Sequence, residues 1–327
     1  MIGCYATGMF PRPERLIAVT RAYDRKAATE KQLEEAFEIA AKEVLAAQSS
    51  VGFSHVTDGM LKWQDLLRPF AEHLSGVRPG GLARWFNNNT FYRKPLVTGD
   101  LKRGKPIVGV DSHIMPLPRT IAWKTILPAP YTFAQLSENQ FCKDKTELMF
   151  KYAEALREEI EDLHRQGFEY VQLSDPALVY RPDGLSVSKD ELAFVSEALK
   201  LAVAGLPVAT CLQTFFGDFA AILPEALDFP VDHLGIDIYE TDLERLKEYR
   251  FDKGVALGLV DSRNSLVEDS HKPAALATEI LDAISGKSLN VYVCPNCDLE
   301  FLPWNWAKEK MQVVASVAEL LRRQSNG

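Results

Sequence analysis

No second pair of metal ligands accompanies Cys294-Pro295-Asn296-Cys297, the most conspicuous motif in the chain. Two thiols at this spacing can chelate zinc or cycle as a redox pair, but a closed zinc site needs two further ligands. The remaining cysteines, Cys4, Cys142 and Cys211, are scattered, and no two of the six histidines stand at H-x(3–5)-H spacing. Five cysteines without a framework pattern point to a reducing cytoplasm. The stretch Met1–Tyr5 lacks the charged region and cleavage signal of a secretory leader. No apolar run approaches the roughly 18 residues of a membrane span. A net charge of −8, with no basic stripe, argues against nucleic acid as a partner. The motifs G-x-S-x-G, P-loop and G-x-G-x-x-G are missing, which removes support for serine hydrolase, P-loop and Rossmann chemistry. What is left is a cytoplasmic protein acting on a small molecule.

What the chain does have is rhythm. Short apolar runs alternate with amphipathic stretches, the pattern of βα units. Eight strands are expected, at Gly3–Gly8, Val51–Thr57, Thr120–Leu127, Tyr170–Leu173, Pro207–Leu212, His233–Asp237, Val255–Val260 and Asn290–Cys294. Helices are expected at Ala28–Gln48, Lys143–Gln166, Ser188–Val203, Leu243–Tyr249, Pro273–Ile284 and Ala307–Arg323, the third opened by a Ser188/Glu191 capping box. Eight such units predict a closed (β/α)8 barrel spanning residues 1–327 as one domain, with the doubly wound open sheet as the alternative. Residues 77–118 break the rhythm. Six prolines and glycines in Arg78–Gly81 and Thr98–Pro106 predict a long irregular insertion after the second strand, a lid or binding loop.

In a barrel the site lies at the carboxyl ends of the strands. Those ends carry Asp58, Lys124, Ser174, Asp175, Gln213, Asp237, Asp261 and Cys297. The four aspartates are candidate acid/base groups, although helix caps and loop anchors use the same residue type. Cys211 reads as a buried small hydrophobe. His55 and His233 read as structural histidines within or beside strands.

In order, these segments resemble the cobalamin-independent methionine synthase family. The segments are Gly8-Met9-Phe10-Pro11, Trp85-Phe86-Asn87-Asn88-Asn89 with Phe91-Tyr92, Leu127-Pro128-Ala129-Pro130-Tyr131-Thr132, Val171-Gln172-Leu173-Ser174-Asp175-Pro176-Ala177-Leu178, Leu257 to Asn264, and Asn296-Cys297-Asp298-Leu299. The resemblance implies a TIM barrel of the methionine synthase/uroporphyrinogen decarboxylase type and methyl transfer to homocysteine. Catalytic members hold zinc through a His-x-Cys pair, a glutamate and a final cysteine. Here Gln213-Thr214-Phe215 replaces His-x-Cys, Asp237 replaces the glutamate, and only Cys297 is kept. Asp237 and Cys297 thus read as the remnant of a degenerate metal site. Met9, Met60 and Ser174 replace a serine, a glutamate and an aspartate at the amino-acid-binding positions. With Lys124, Gln213 and Trp304 they make up the candidate substrate-binding set.

Phe215-Phe216-Gly217-Asp218-Phe219 is similar to the zinc-less amino-terminal barrel of the full-length enzyme. That implies a supporting, methyl-donor-binding subunit acting with a separately encoded zinc-bearing barrel. Two other readings stay open. One is a stand-alone methyltransferase or carbon–sulfur lyase with a repurposed pocket. The other is a corrinoid-dependent relative, with methylcobamide in place of methylfolate as donor.

Overall fold

The structure, a computed structural model, describes residues 1–109, 121–180, 184, 186–285 and 289–325. Among these the strands are β1 (Ile2–Cys4), β2 (His55–Val56), β3 (Leu74–Arg84), β4 (Phe91–Arg103), β5 (Ala122–Pro128), β6 (Glu138–Asn139), β7 (Phe168–Ser174), β8 (Ala209–Gln213), β9 (His233–Asp237), β10 (Gly254–Val260) and β11 (Val291–Pro295). The helices are α1 (Glu14–Asp24), α2 (Glu30–Ser50), α3 (Arg68–His73), α4 (Pro130–Leu136), α5 (Lys145–Gln166), α6 (Lys189–Val203), α7 (Leu243–Leu246), α8 (His271–Ile284) and α9 (Trp304–Ser325).

Eight strands form one parallel sheet in the order β1-β11-β10-β9-β8-β7-β5-β2. From β2 to β11 each barrel strand is therefore next to its predecessor in the sheet, and β11 returns to β1, with no reversal of direction. That order excludes the doubly wound alternative. The two end strands share no ladder among the described pairs; Ser54 bridges them instead. Its Oγ accepts from the Cys4 N–H at 3.0 Å and donates to the Cys4 carbonyl at 2.8 Å. All eight expected strands are present, although the first two are shorter than expected. Thr120, the expected start of the third, lies outside the described residues.

Side chains alternate inward and outward along the strands and fill the barrel in layers drawn from alternate strands. His55, Tyr170, His233 and Tyr292 pack ring against ring at the floor, with centroids 4.9–5.5 Å apart. Above them Lys124 places its Nζ 3.3 Å from the centre of the Tyr5 ring and donates to the Ala6 carbonyl at 2.8 Å. The outer helices follow from apolar spacing and caps. Helix α5 buries Leu148, Tyr152, Leu156, Ile160 and Leu163 on one stripe, starts at an Asp144 cap and stops at Gly167, whose φ of 103° suits glycine. The Ser188/Glu191 capping box of α6 is formed.

The insertion, expected to be irregular, is ordered. Strands β3 and β4 pair antiparallel into a long hairpin, with β6 added beside β4. Its prolines and glycines fit because two register shifts interrupt the ladder and Pro79 stands opposite Pro95. Residues 110–118 of the expected insertion lie outside the described residues. Buried Glu159 of α5 anchors the hairpin base. It pairs with Arg103 at 2.6 Å and accepts from the N–H groups of Ile107 and Val108. The hairpin turn then lies on loops at the barrel mouth, with Phe86 against Tyr180 and Phe216 at 5.6 and 5.7 Å.

Candidate functional site

At the barrel axis, the ends of β7, β8 and β9 bring Gln172, Ser174, Asp175, Gln213 and Asp237 together, all buried. Gln172 reaches across to the segment after β1 and donates to the Thr7 carbonyl at 2.5 Å and to Ser174 Oγ at 2.9 Å. Gln213 leans over Gly235, where a Cβ would overlap its amide. Asp175 uses one carboxyl oxygen to accept from Thr132, from its N–H at 3.0 Å and its hydroxyl at 2.6 Å. Its second oxygen has no donor within the described protein. Burial pushes the Asp175 carboxyl up to about 7 against the lowering effect of those bonds. Asp237 is committed on both oxygens, to the backbone N–H groups of Phe216 and Tyr239, each at 3.1 Å. Burial still raises it to about 6.

The zinc implied by the resemblance does not fit these side chains. Phe215 has no donor atom, and each Asp237 oxygen already accepts from a backbone amide. The Cys297 thiol packs 3.2 Å from Ser262 Oγ, and burial raises its pKa well above the ordinary thiol value, whereas zinc takes thiolate. Among the described residues no three His, Cys, Asp or Glu side chains converge as a metal-binding group. Cys294 faces the barrel interior in β11, and burial pushes it up to about 12.

A second concavity lies to one side of the axis. The loops after β1, β2 and β11 enclose, with α1, a cleft of about 1060 Å³ that includes Met9, Met60, Trp63, Arg12, Glu300 and Trp304 in its walls. These loops are stitched together. Asp298 accepts from the Met9 N–H at 2.9 Å, a reach possible because Gly8 has no Cβ to overlap that carboxyl. Phe10 N–H donates to the Gly59 carbonyl at 3.1 Å, and Glu300 N–H to the Met9 carbonyl at 2.9 Å. Arg12 is fixed by the carbonyls of Leu61 and Trp63. Burial, then neighbouring Asp298, raises Glu300, and Arg12 opposes that rise. Trp304 donates to Glu43 at 2.6 Å.

The sequence candidates therefore divide. Ser174, Asp175, Gln213, Asp237 and Cys297 lie at the axial mouth; Met9, Met60 and Trp304 line the side cleft. Asp58 and Asp261 make turns: Asp58 accepts from the Met60 N–H at 3.0 Å and Asp261 from the Arg263 N–H at 2.9 Å. Lys124, expected at the mouth, is instead enclosed within the barrel, where burial lowers its pKa to about 7. Its inward-facing position on β5 is the reason, for it sets the ammonium group below the rim, against the Tyr5 ring and the Ala6 carbonyl. Sequence reasoning missed Gln172, Arg12, Trp63 and Glu300. The alternation Tyr170, Gln172, Ser174 could have flagged Gln172; nothing local marks Glu300.

Among the described residues, three of the four non-glycine positions with left-handed backbone, Met60, Phe86 and Phe216 (φ 54°, 50° and 73°), belong to these loops. Among the described residues no helix is long and apolar enough to cross a membrane.

Residues 4–320 match the family described as "Cobalamin-independent synthase, Catalytic domain". The methionine synthase of Saccharolobus solfataricus is 28% identical over 321 residues, 97% of this chain and 94% of that protein. The methionine synthase of Sulfurisphaera tokodaii is 26% identical over 320 residues, 97% and 91% of the two chains. Among solved structures, a B12-independent methionine synthase from Shewanella in complex with selenomethionine superimposes with a TM-score of 0.82 at 20% identity, covering 99% of this chain and 98% of that one. A methyltransferase from Methanosarcina mazei gives 0.62 at 14% identity, covering 97% and 93%. At these identities the structures speak to the fold.

Proposed function

Since the chain belongs to the cobalamin-independent methionine synthase family, we propose that it serves methyl transfer to homocysteine as a zinc-less supporting barrel. In this reading it binds the methyl donor, methylfolate or methylcobamide, and acts with a separately encoded barrel that carries the zinc. One observation carries the reading: after β8 the chain places Gln213 and Phe215 where the resemblance calls for two zinc ligands. Zinc activates homocysteine by stabilising its thiolate near neutral pH. A site without imidazole or thiolate at that position is poorly built to do so.

The test is metal analysis of the purified chain followed by a homocysteine methylation assay, alone and mixed with a zinc-bearing barrel of the family. The expected result is substoichiometric zinc, no turnover alone and raised turnover in the mixture. Stoichiometric zinc, lost together with activity on Cys297→Ser, would overturn it.

A second reading, a stand-alone transferase or lyase, is favoured by Asp175. A buried carboxyl raised to about 7, with one oxygen that has no donor among the described residues, is suited to general acid catalysis. Turnover by the chain alone that falls with Asp175→Asn would select it.

A further inference from the structure

We propose that the chain pairs with a second copy of itself, the outward face of each β3–β4 hairpin docking on an acidic, aromatic stripe of the other copy's α6. The inference does not depend on the supporting-barrel reading.

Charge is unevenly shared along the chain. Residues 74–105 hold seven lysines and arginines and one acidic residue, Asp100, so this segment carries +6 while the rest of the chain carries −14. At the hairpin tip the register sets Leu82 opposite Arg93, Ala83 opposite Tyr92, and Arg84 opposite Phe91. Opposite residues share a face of the ribbon and successive residues alternate. Leu82, Arg84, Phe91 and Arg93 therefore stand on one face. Tyr92 is on the other, turned to the barrel, where its hydroxyl donates to the Leu136 carbonyl at 3.2 Å. Burial agrees: Tyr92 is 4% exposed, whereas Leu82 and Phe91 are 64% and 55% exposed. Arg84 has no ion-pair partner among the described residues, and the Arg93 guanidinium meets only the Gly80 carbonyl, at 3.1 Å. Two large apolar side chains between two uncompensated cations call for an apolar surface flanked by carboxylates.

That surface is present on the same molecule. On α6, Asp190 stands one turn before Phe194 and Glu197 one turn after it, so the three share a stripe. Phe194 is 47% exposed, and neither carboxylate has a cation among the described residues. The lysines close by are engaged, Lys189 by Glu225 at 2.8 Å and Lys145 by Gln135 at 2.9 Å. Beside Phe194 a hollow of about 400 Å³ opens between α4, α5 and α6, room for a phenylalanine or leucine anchor. The spacing also suits. Two helix residues seven apart lie about 10 Å apart along the axis, and diagonal strand neighbours such as Arg84 and Arg93 about 7–8 Å, with long side chains to spread. Helix α5 packs against both β4 and α6, and both patches lie toward the barrel mouth. A twofold axis beside α5 thus sets each hairpin on the other copy's α6, a closed pair with two equal contacts.

The experiment is sedimentation velocity of the full chain at micromolar concentration in low and high sodium chloride. The expected species has twice the chain mass and dissociates as salt rises, because exposed ion pairs are screened. Arg84→Glu with Arg93→Glu, and Asp190→Lys with Glu197→Lys, should each weaken self-association about tenfold or more. Mixing the two variants should recover it, since each reversed hairpin then meets a reversed stripe and each native hairpin a native one. All four positions are exposed, so the fold should tolerate the changes. If either pair of reversals prevents folding, Phe194→Ser takes its place and should leave a monomer; a persisting dimer overturns the proposal. A monomer in low salt, a dimer indifferent to salt or to either pair of reversals, or a mixture that stays monomeric would also overturn it. Association with a zinc-bearing barrel of the family but not with itself overturns this proposal and leaves the supporting-barrel reading standing.

Discussion

The axial mouth and the side cleft occupy the same face of the barrel but solve opposite problems. The mouth stands over β7 to β10, where every neighbouring pair shares a ladder. Its polar groups are buried, mostly committed to backbone, and roofed by phenylalanines. The cleft opens over the seam between β1 and β2, where Ser54 substitutes for a ladder. It keeps volume, charge and tryptophans in its wall. The comparison teaches that one barrel face can hold a closed, polar mouth and an open cleft side by side, according to whether the strands beneath share a ladder.

The largest effect should come from removing the anchor of the roof. Glu159→Ala leaves Arg103 with only the more exposed Asp162 and Glu158 as partners and two buried amide groups, those of Ile107 and Val108, without an acceptor. A loss of about 3–5 kcal/mol in a denaturant titration is expected. Limited proteolysis should cut near residues 85–90 sooner in this variant. If the hairpin roofs the mouth only, emission from Trp63 and Trp304 in the cleft should stay unchanged before the main transition. A coincident change would dissolve the distinction between the two regions.

Asp175→Asn tests the mouth by pH. The folded carboxyl is raised, so the protonated form is the one the fold favours. Stability from this group is complete below about pH 4, where the unfolded carboxyl titrates, and is lost as pH rises through about 7. Asparagine removes that loss. The variant should gain on the wild type by roughly 2–4 kcal/mol at pH 8 and by little at pH 4. An equal difference at both pH values would show that folding leaves the Asp175 carboxyl at its ordinary value.

How much of this was legible in the sequence depended on what each residue's neighbours reveal. Inner strands such as Val255–Val260 read correctly because strands enclosed on both faces are continuous apolar runs. The hairpin did not, because Pro79, Gly80, Gly81 and Pro95 are breakers by local rule, tolerated where register shifts free their backbones. Helix α1 was missed for a related reason: it follows Pro11 and Pro13, and Leu16 is its one fully buried residue. At the candidate site, strand-end position singled out Asp175, Asp237, Gln213 and Cys297, which the fold gathers at the axial mouth. It could not tell Asp175, with a free oxygen, from Asp58, which shapes a turn. That difference lies in burial and in partners distant along the chain.

Ser54→Ala probes the seam under the cleft. It removes both side-chain bonds to Cys4, leaving the Ser54 N–H on the Cys4 carbonyl at 2.9 Å, and should cost about 1–2 kcal/mol. Hydrogen exchange should accelerate at β1 and β2 while β7 to β9 remain protected. Uniform acceleration would mean that the barrel opens as one unit and the seam is no weaker than the rest.

The smallest expected effect belongs to Glu300→Gln. Its carboxyl is raised, first by burial and then by Asp298, so it too contributes stability that is present below the unfolded value near 4 and lost as pH rises through the folded one. Unlike Asp175 it borders an open cleft and stands near Arg12, which favours the charged form. Water and the guanidinium together screen its charge, so the gain of the variant at pH 8 over pH 5 should be about 1 kcal/mol, below that of Asp175→Asn. Chemical denaturation of both variants at the two pH values decides the matter. A larger gain for Glu300→Gln would mean that the cleft wall is the drier of the two regions, and the contrast between a closed mouth and an open cleft would have to be reversed.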